Sequence, residues 1–344
     1  MYERDENQAW RPRVDDCLVN ELLMSSLTLP AVLVAHELRI FRLLSERSLA
    51  FEEISQRVPV DGRPLKAILQ LCASKGLLSV EDGRYALTLT GEEYFVEGRP
   101  SSYTDYLGML KETSALLAFE PLMKAVETNS PQAYGGEDIF EAHEAQAEKA
   151  RLFTRTMHGH SAAPASAWPD HVDMSLHRRM LDIGGGSSAH AIGAVRRWPH
   201  LRATVLDLAT VCEVANEYIE RAGVQDHVGT LAFDMWQDAL PAADIHFYSE
   251  IFHDWSPEQC RSLVRKSFES LEHEGRLIIH EMLYDEEKQF PDVAAAYSVG
   301  MLLWTQGQQF TAPELTALLA GEGFVDIEVK PTFGYWSIVT GRKP

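Results

Sequence analysis

Four cysteines in 344 residues leave this chain little means for cross-linking or metal binding. Cys17, Cys72, Cys212 and Cys260 stand far apart, with no CxxC and no Cys/His cluster. That pattern excludes a zinc ribbon or a disulfide framework and suits thiols in a reducing cytosol. The stretch HEMLYDEE is not HExxH, and no other metal-ligand spacing occurs, so no metal is expected. Positive charge is scarce too. There are 31 Lys and Arg against 51 Asp and Glu, a formal net charge of −20, which argues against a broad nucleic-acid or anionic-membrane surface. The N-terminal MYERDENQAWRPRVDD is polar and charged, unlike a secretory signal, and no apolar run is expected to reach bilayer-spanning length. A cytoplasmic protein without nucleic-acid or membrane partners is the expectation.

An apolar fraction of 45% and this length allow two domains with sizeable cores. From about residue 14 to 126 the texture is mostly helical. LTLPAVLVAHELRIFRLLSE carries apolar residues at helical spacing. LAFEEISQRVPVDGRPLKAILQLCASKGLLSVEDGRYALTL then reads as a short helix, a turn, a second helix ending at Gly76, and two strands around an Asp82-Gly83 hairpin. This is a winged-helix pattern. Its recognition helix offers only Arg63, Lys66 and Lys75, so protein–protein contact is favoured over DNA. Gly98 to Ser102 marks a hinge, and EDIFEAHEAQAEKARLFTRTMHGHSAA reads as helix. The expected domains are 1–100 (winged helix), 101–170 (a helical connector contributing to a substrate pocket) and 171–344.

From Arg179 onward short apolar strands alternate with amphipathic helices, which indicates an α/β fold with a doubly wound parallel sheet and a ligand at the carboxyl ends of its strands. In RMLDIGGGSSAH, Gly184-x-Gly186-x-x-Ala189 follows a strand and fits a dinucleotide fingerprint, with Asp207 at the end of the next strand to hold a ribose. NAD or FAD is therefore one reading. Asp182, at the mouth of the first strand, repels a pyrophosphate but suits a cationic, phosphate-free donor such as S-adenosylmethionine. A bare turn-capping role for Asp182 is the structural alternative. Asp234 and Met235 follow a further strand, with Trp236 beside them, and could hold adenine. Met235 could equally be core. In FHDWSPEQC, His253 follows the fourth strand, where it could remove a proton from a hydroxyl, and Glu281 on the neighbouring strand could orient its ring. A lone histidine at a strand end can also be merely structural.

LDIGGGSSAH, ATVLDLATVCEVA, FDMWQDALPAAD, FHDWSPEQC, GRLIIHEML and MLLWTQGQQFTAPELTALLAGEGF occur in the order seen in small-molecule O-methyltransferases. Over nearly its whole length the chain resembles that S-adenosylmethionine-dependent family, of plant caffeate and flavonoid type with bacterial antibiotic and polyketide-tailoring relatives. The resemblance implies a class I methyltransferase sheet behind an N-terminal winged-helix dimerisation domain, and hence a homodimer. It places Gly184 and Gly186 under the methionine part of the cofactor, with Asp182 beside them. Asp207 and Leu208 fall at the ribose, and Asp234 and Met235 at the adenine, with Trp255 in the same cofactor set. Ser249 stands where plant members carry a lysine, and Ser188 where a glycine is common. His253 resembles the general base and Glu281 one flanking acid, while Gln309 replaces the second acid. Phe153, Met157, His160, Met301 and Trp304 are expected to wall a pocket for an aromatic or polyketide-like acceptor. The expected reaction is methyl transfer to a phenolic or enolic hydroxyl. C- or N-methylation, an NAD-dependent oxidoreductase and a winged-helix regulator are the alternatives.

Overall fold

The computed structural model describes residues 11–136 and 146–344. Chain contacts divide it into one unit up to Arg99 and another from Pro100 onward. Residues 101–170 fall within the larger unit.

In the first unit, Leu65, Leu69 and Cys72 recur at one-turn spacing along the helix Gly62–Ser74 and are fully buried. They pack with Ile40, Phe41 and Ile54 from the preceding helices. A three-stranded antiparallel sheet completes the unit: β1 (Leu49–Ala50), β2 (Leu78–Glu81) and β3 (Arg84–Leu87), in the order β1-β3-β2. The β2–β3 turn is the expected Asp82-Gly83 hairpin, with φ of 49° and 74°. Ahead of this core, Cys17–Ser25 and Thr28–Glu37 are helical. Together they make a stretch of 21 residues with mean hydropathy 1.7, long and apolar enough by length and composition to cross a membrane. This corrects the expectation that no run reaches that length: before His36 its one charged residue is Glu21. Leu18, Leu22, Leu23 and Leu27 on it are exposed.

The second unit is built on a seven-stranded sheet: β4 (Arg179–Ile183), β5 (Arg202–Asp207), β6 (Val228–Ala232), β7 (Ile245–Ser249), β8 (Arg276–Met282), β9 (Val325–Phe333) and β10 (Trp336–Arg342), in the order β6-β5-β4-β7-β8-β10-β9. The first five strands in that order are mutually parallel, as expected. The last two are not. β9 and β10 form a hairpin through Gly334, and β10 inserts antiparallel between β8 and β9, so the sheet is mixed rather than all parallel.

Side-chain parity along the strands separates two cores. Leu181, Ile183, Leu206, Tyr248, Leu277 and Ile279 share one cluster. Met180, Val205, Phe247 and Ile278 share the other with Ala191 and Val195 of the helix Ala189–Arg197. The helix Ala147–Ala167 contacts this second layer. A helix is expected from Glu137; residues 137–145 lie outside the described residues, and the described helix begins at Ala147. Cys72, Cys212 and Cys260 are buried free thiols and Cys17 is an exposed one.

Candidate active site

β4 delivers Asp182 and Ile183 to the carboxyl edge of the sheet, and the next five residues turn the chain into a helix. The turn uses left-handed backbone at Gly184 (φ 68°), Gly186 (φ 54°) and Ser188 (φ 69°). The middle glycine is required for a different reason. A Cβ at Gly185 would lie 2.6 Å from Asp182 Cγ and 2.7 Å from its Oδ2, closer than real contacts allow. Gly185 is therefore fixed by Asp182, a constraint that the G-x-G spacing does not reveal.

Asp182 occupies a different place from the expected one. It shares strand parity with Met180, so its side chain points under the loop toward the helix Ala189–Arg197 and is absent from the cavity wall. It is fully buried, and its Oδ2 accepts from the Ala191 N–H at 3.1 Å. Its Oδ1 has no hydrogen-bond partner. Burial pushes the carboxyl up to about 7, the Ala191 N–H works against that, and nearby Asp207 adds to it. Asp207 does face the cavity. Its Oδ2 accepts from the Gly186 N–H at 2.9 Å and its Oδ1 from the Leu208 N–H at 2.7 Å. Burial raises it to about 6 against the pull of those two donors.

Asp234 closes its own turn. Its Oδ1 accepts from the N–H groups of Trp236 (2.7 Å) and Gln237 (3.2 Å), and it lies off the cavity wall. Met235 is half-buried against the Ile251 and Trp255 cluster, with its methyl 3.6 Å from where a Gly184 Cβ would stand. Trp255 is buried and meets Trp236 edge-on at 4.7 Å. Neither Met235 nor Trp255 lines the cavity.

β7 ends at Ser249, whose hydroxyl sits 2.9 Å from His280 Nδ1. A 3₁₀ turn, Phe252–Asp254, follows and carries His253. The carbonyl of His253 presses on Gly307, where a Cβ would stand 1.9 Å from that oxygen, so only glycine permits this approach. His253 Nδ1 lies 3.0 Å from Glu281 Oε2, and the other Glu281 oxygen accepts from the Phe252 N–H at 3.1 Å. The Gln309 amide nitrogen is 3.1 Å from the same Nδ1. An amide NH2 donates and cannot accept, so a proton on Nδ1 directed at the Glu281 carboxylate requires the Gln309 amide to turn its oxygen to the ring; Nε2, 3.6 Å from Asp254 Oδ1, is then the basic nitrogen. Burial alone would lower the imidazole's pKa, but the carboxylates of Glu281, Asp254 and Glu250 reverse this and hold it above its ordinary value.

These elements surround one cavity of about 390 Å³. Gly184, Gly186, Asp207, Leu208, Ser249 and His253 meet there with Phe153, Met157, Met301 and Trp304. Glu281 and Gln309 stand behind His253, buried and off the wall. His160, expected on the wall, is instead buried behind it, with Nδ1 3.2 Å from Glu250 Oε1. The wall also includes polar residues that the sequence does not assign to the site, among them Tyr106, Glu250, Asp254 and Tyr297. Only Asp254, next to His253, had a local signal.

The arrangement fits a cationic, phosphate-free donor. The glycine loop exposes bare backbone, Asp207 offers carboxylate oxygens to a diol, and no lysine or arginine among the described residues lines the cavity to meet a phosphate. Residues 119–325 match the O-methyltransferase domain, and residues 21–97 match the O-methyltransferase dimerisation domain. The chain belongs to the O-methyltransferase family. It is 32% identical to 3-hydroxy-5-methyl-1-naphthoate 3-O-methyltransferase of Streptomyces sahachiroi over 85% of each chain. It is 28% identical to bovine (Bos taurus) acetylserotonin O-methyltransferase, over 95% of this chain and 97% of the relative. The crystal structure of human N-acetylserotonin methyltransferase in complex with S-adenosylmethionine superposes with a TM-score of 0.83 at 25% identity, covering 97% of this chain and 99% of that one.

Membership makes the protein an S-adenosylmethionine-dependent enzyme that O-methylates small molecules, and it displaces the oxidoreductase and regulator readings. It also supplies a use for the exposed apolar helices at the N-terminus, since the dimerisation domain begins within them.

Proposed function

We propose that the enzyme methylates a phenolic or enolic hydroxyl of a small aromatic or polyketide-like secondary metabolite, with His253 taking the hydroxyl's proton. The observation that carries this reading is the His253 imidazole on the cavity wall, backed by Glu281 at 3.0 Å and facing a Met- and Trp-rich chamber. Bound S-adenosylmethionine supplies an electrophilic methyl on a sulfonium. The chain's own residues do the rest. The loop Gly184–Gly186 would seat the methionine moiety, and Asp207 with Leu208 the ribose. Asp182 lends negative potential from beneath the loop. Asp234 and Met235 after β6 and Trp255 after the Phe252–Asp254 turn stand off the cavity wall, on the side of the glycine loop assigned to the adenine. Phe153, Met157, Met301 and Trp304 hold a flat acceptor in line, and such positioning alone can supply several kcal/mol.

A phenol with pKa near 10 is a poor nucleophile at neutral pH, so its proton must leave as the O–C bond forms. His253 Nε2 receives it, and the Glu281 carboxylate beside the Nδ1–H already in place stabilises the imidazolium. In the resting site the three nearby carboxylates favour the protonated ring. A neighbouring sulfonium opposes that charge, which brings the base toward neutrality when both partners are bound. The scheme uses no metal, and the enzyme is read as a cytoplasmic homodimer.

The test is direct. The purified protein, incubated with methyl-labelled S-adenosylmethionine and a panel of phenols, should pass the label to a hydroxyl without added metal and in the presence of a chelator. Label found only on carbon or nitrogen would overturn the reading.

Gln309→Glu restores a second carboxylate beside the ring. It should raise the kinetic pKa of kcat by about one unit, because an added anion within hydrogen-bond distance favours the imidazolium. A pH–rate profile that does not move would show that Gln309 has no electrostatic hold on His253.

A further inference from the structure

Glu250 follows β7 in left-handed backbone, φ 56°, a conformation that costs a glutamate energy unless its surroundings enforce it. Its side chain is nearly buried yet belongs to the cavity wall. His160 Nδ1 stands 3.2 Å from Oε1 and 3.3 Å from Oε2, and the Tyr297 hydroxyl donates to Oε1 at 3.0 Å. The partners are themselves held. His160 is buried among the rings of Tyr103, Tyr106, Tyr297 and Trp336, with centroids 5.5 to 6.3 Å away. Burial and the neighbouring Glu250 carboxylate keep the Tyr297 phenol well above its ordinary range, so it stays a donor. Burial alone would raise Glu250, but His160, His253 and Tyr297 hold it down to about 2. A carboxylate has about four acceptor sites. One imidazole and one phenol fill two of them, and the rest are available to the cavity.

The cavity wall therefore carries a fixed anion beside Tyr106 and Tyr297, with Asp254 as a second acid, and no lysine or arginine among the described residues. A carboxylate on the acceptor would meet like charge in a low-dielectric chamber, whereas an N–H, O–H or ammonium group would meet an acceptor already in place. We propose that Glu250, fixed by His160 and Tyr297, is a specificity-determining residue that selects neutral or cationic aromatic acceptors carrying a second hydrogen-bond donor and rejects acceptors carrying a carboxylate. This inference rests on the O-methylation reading above and narrows its substrate class.

The experiment uses the full-length protein and three naphthols that differ in one substituent: a carboxamide, an aminomethyl group or a carboxylate. Turnover is followed with S-adenosylmethionine, and binding is followed by calorimetry with S-adenosylhomocysteine present. The wild type should prefer the amide and the amine to the carboxylate by about tenfold or more, both in kcat/KM and in Kd. In Glu250→Gln that ratio should fall toward one, and in Glu250→Asp, which keeps the charge, it should persist. Equal use of the carboxylate by the wild type, or an unchanged ratio in Glu250→Gln, overturns the assignment; so does failure of all three probes to bind. Wild-type discrimination needs no variant, so a Glu250→Gln protein that does not fold leaves the test standing. Selective binding of the amide without methyl transfer would count against the O-methylation reading and in favour of the role of Glu250.

Discussion

His253→Gln lowers kcat by about 10²–10⁴-fold, the usual worth of a positioned general base, while the Kd for S-adenosylmethionine changes by less than about threefold. The direction follows from the hydrogen-bond pattern. Nδ1 lies 3.0 Å from the Glu281 carboxylate, and with its proton directed there Nε2, 3.6 Å from Asp254 Oδ1, is the nitrogen that takes the proton leaving the acceptor. A glutamine fills a similar volume and keeps a polar group next to Glu281 and Gln309, but it cannot take a proton. The proposed cofactor contacts, on the glycine loop and Asp207, lie on other strands, so the effect should be confined to kcat. Stopped single-turnover assays and calorimetry on the same preparation separate the two quantities. An equal loss in both would point to a collapsed turn around Phe252–Asp254 instead, since His253 is packed against Gly307 and the ring of Tyr297.

Asp207→Ala weakens S-adenosylmethionine binding by about 10- to 100-fold, the equivalent of one or two hydrogen bonds to a charged group. The substitution removes the proposed acceptor for the ribose and also leaves the Gly186 and Leu208 N–H groups without their partner, loosening the glycine loop. The same carboxylate gives the binding a pH dependence. Burial raises its pKa in the free protein to about 6, and the ligand's hydroxyl donors and positive charge favour the ionised form. Binding therefore competes with protonation: affinity is full above pH 7 and falls as pH drops through 6. At pH 5 the Kd should be about tenfold weaker than at pH 8, and Asp207→Asn should flatten that slope. Near-ultraviolet circular dichroism at both pH values shows whether the fold is intact.

Much of the sheet is legible because β4, β5, β7 and β8 each carry a short buried apolar run (Met180-Leu181, Val205-Leu206, Phe247-Tyr248 and Leu277 to Ile279), set apart by helices with caps such as Ser256 before Pro257. The order of acid and glycine signals at successive strand ends brought Gly184, Gly186, Asp207 and His253 to one cavity. The misplacements have physical causes. Asp182 was read as a mouth residue, but strand parity turns it beneath the loop, where its identity dictates Gly185. Asp234 satisfies its own turn before any ligand arrives. His160 sits on the expected helix yet faces a carboxylate 90 positions away in the chain, and nothing local announces that pairing. Glu250 was silent for the same reason: its role depends on a left-handed turn and on two partners from distant helices. The antiparallel β9–β10 pair was hidden because β9 is largely exposed and lacks the apolar run that marked the other strands.

The most direct measurement is the single-turnover rate of wild type and His253→Gln across a series of phenols of graded acidity at fixed pH. If His253 removes the proton, the gap between the two proteins should be widest for phenols with pKa near 10 and should close for phenols already ionised at that pH. A gap of constant size across the series, or none at all, would contradict the assignment of His253 as the base.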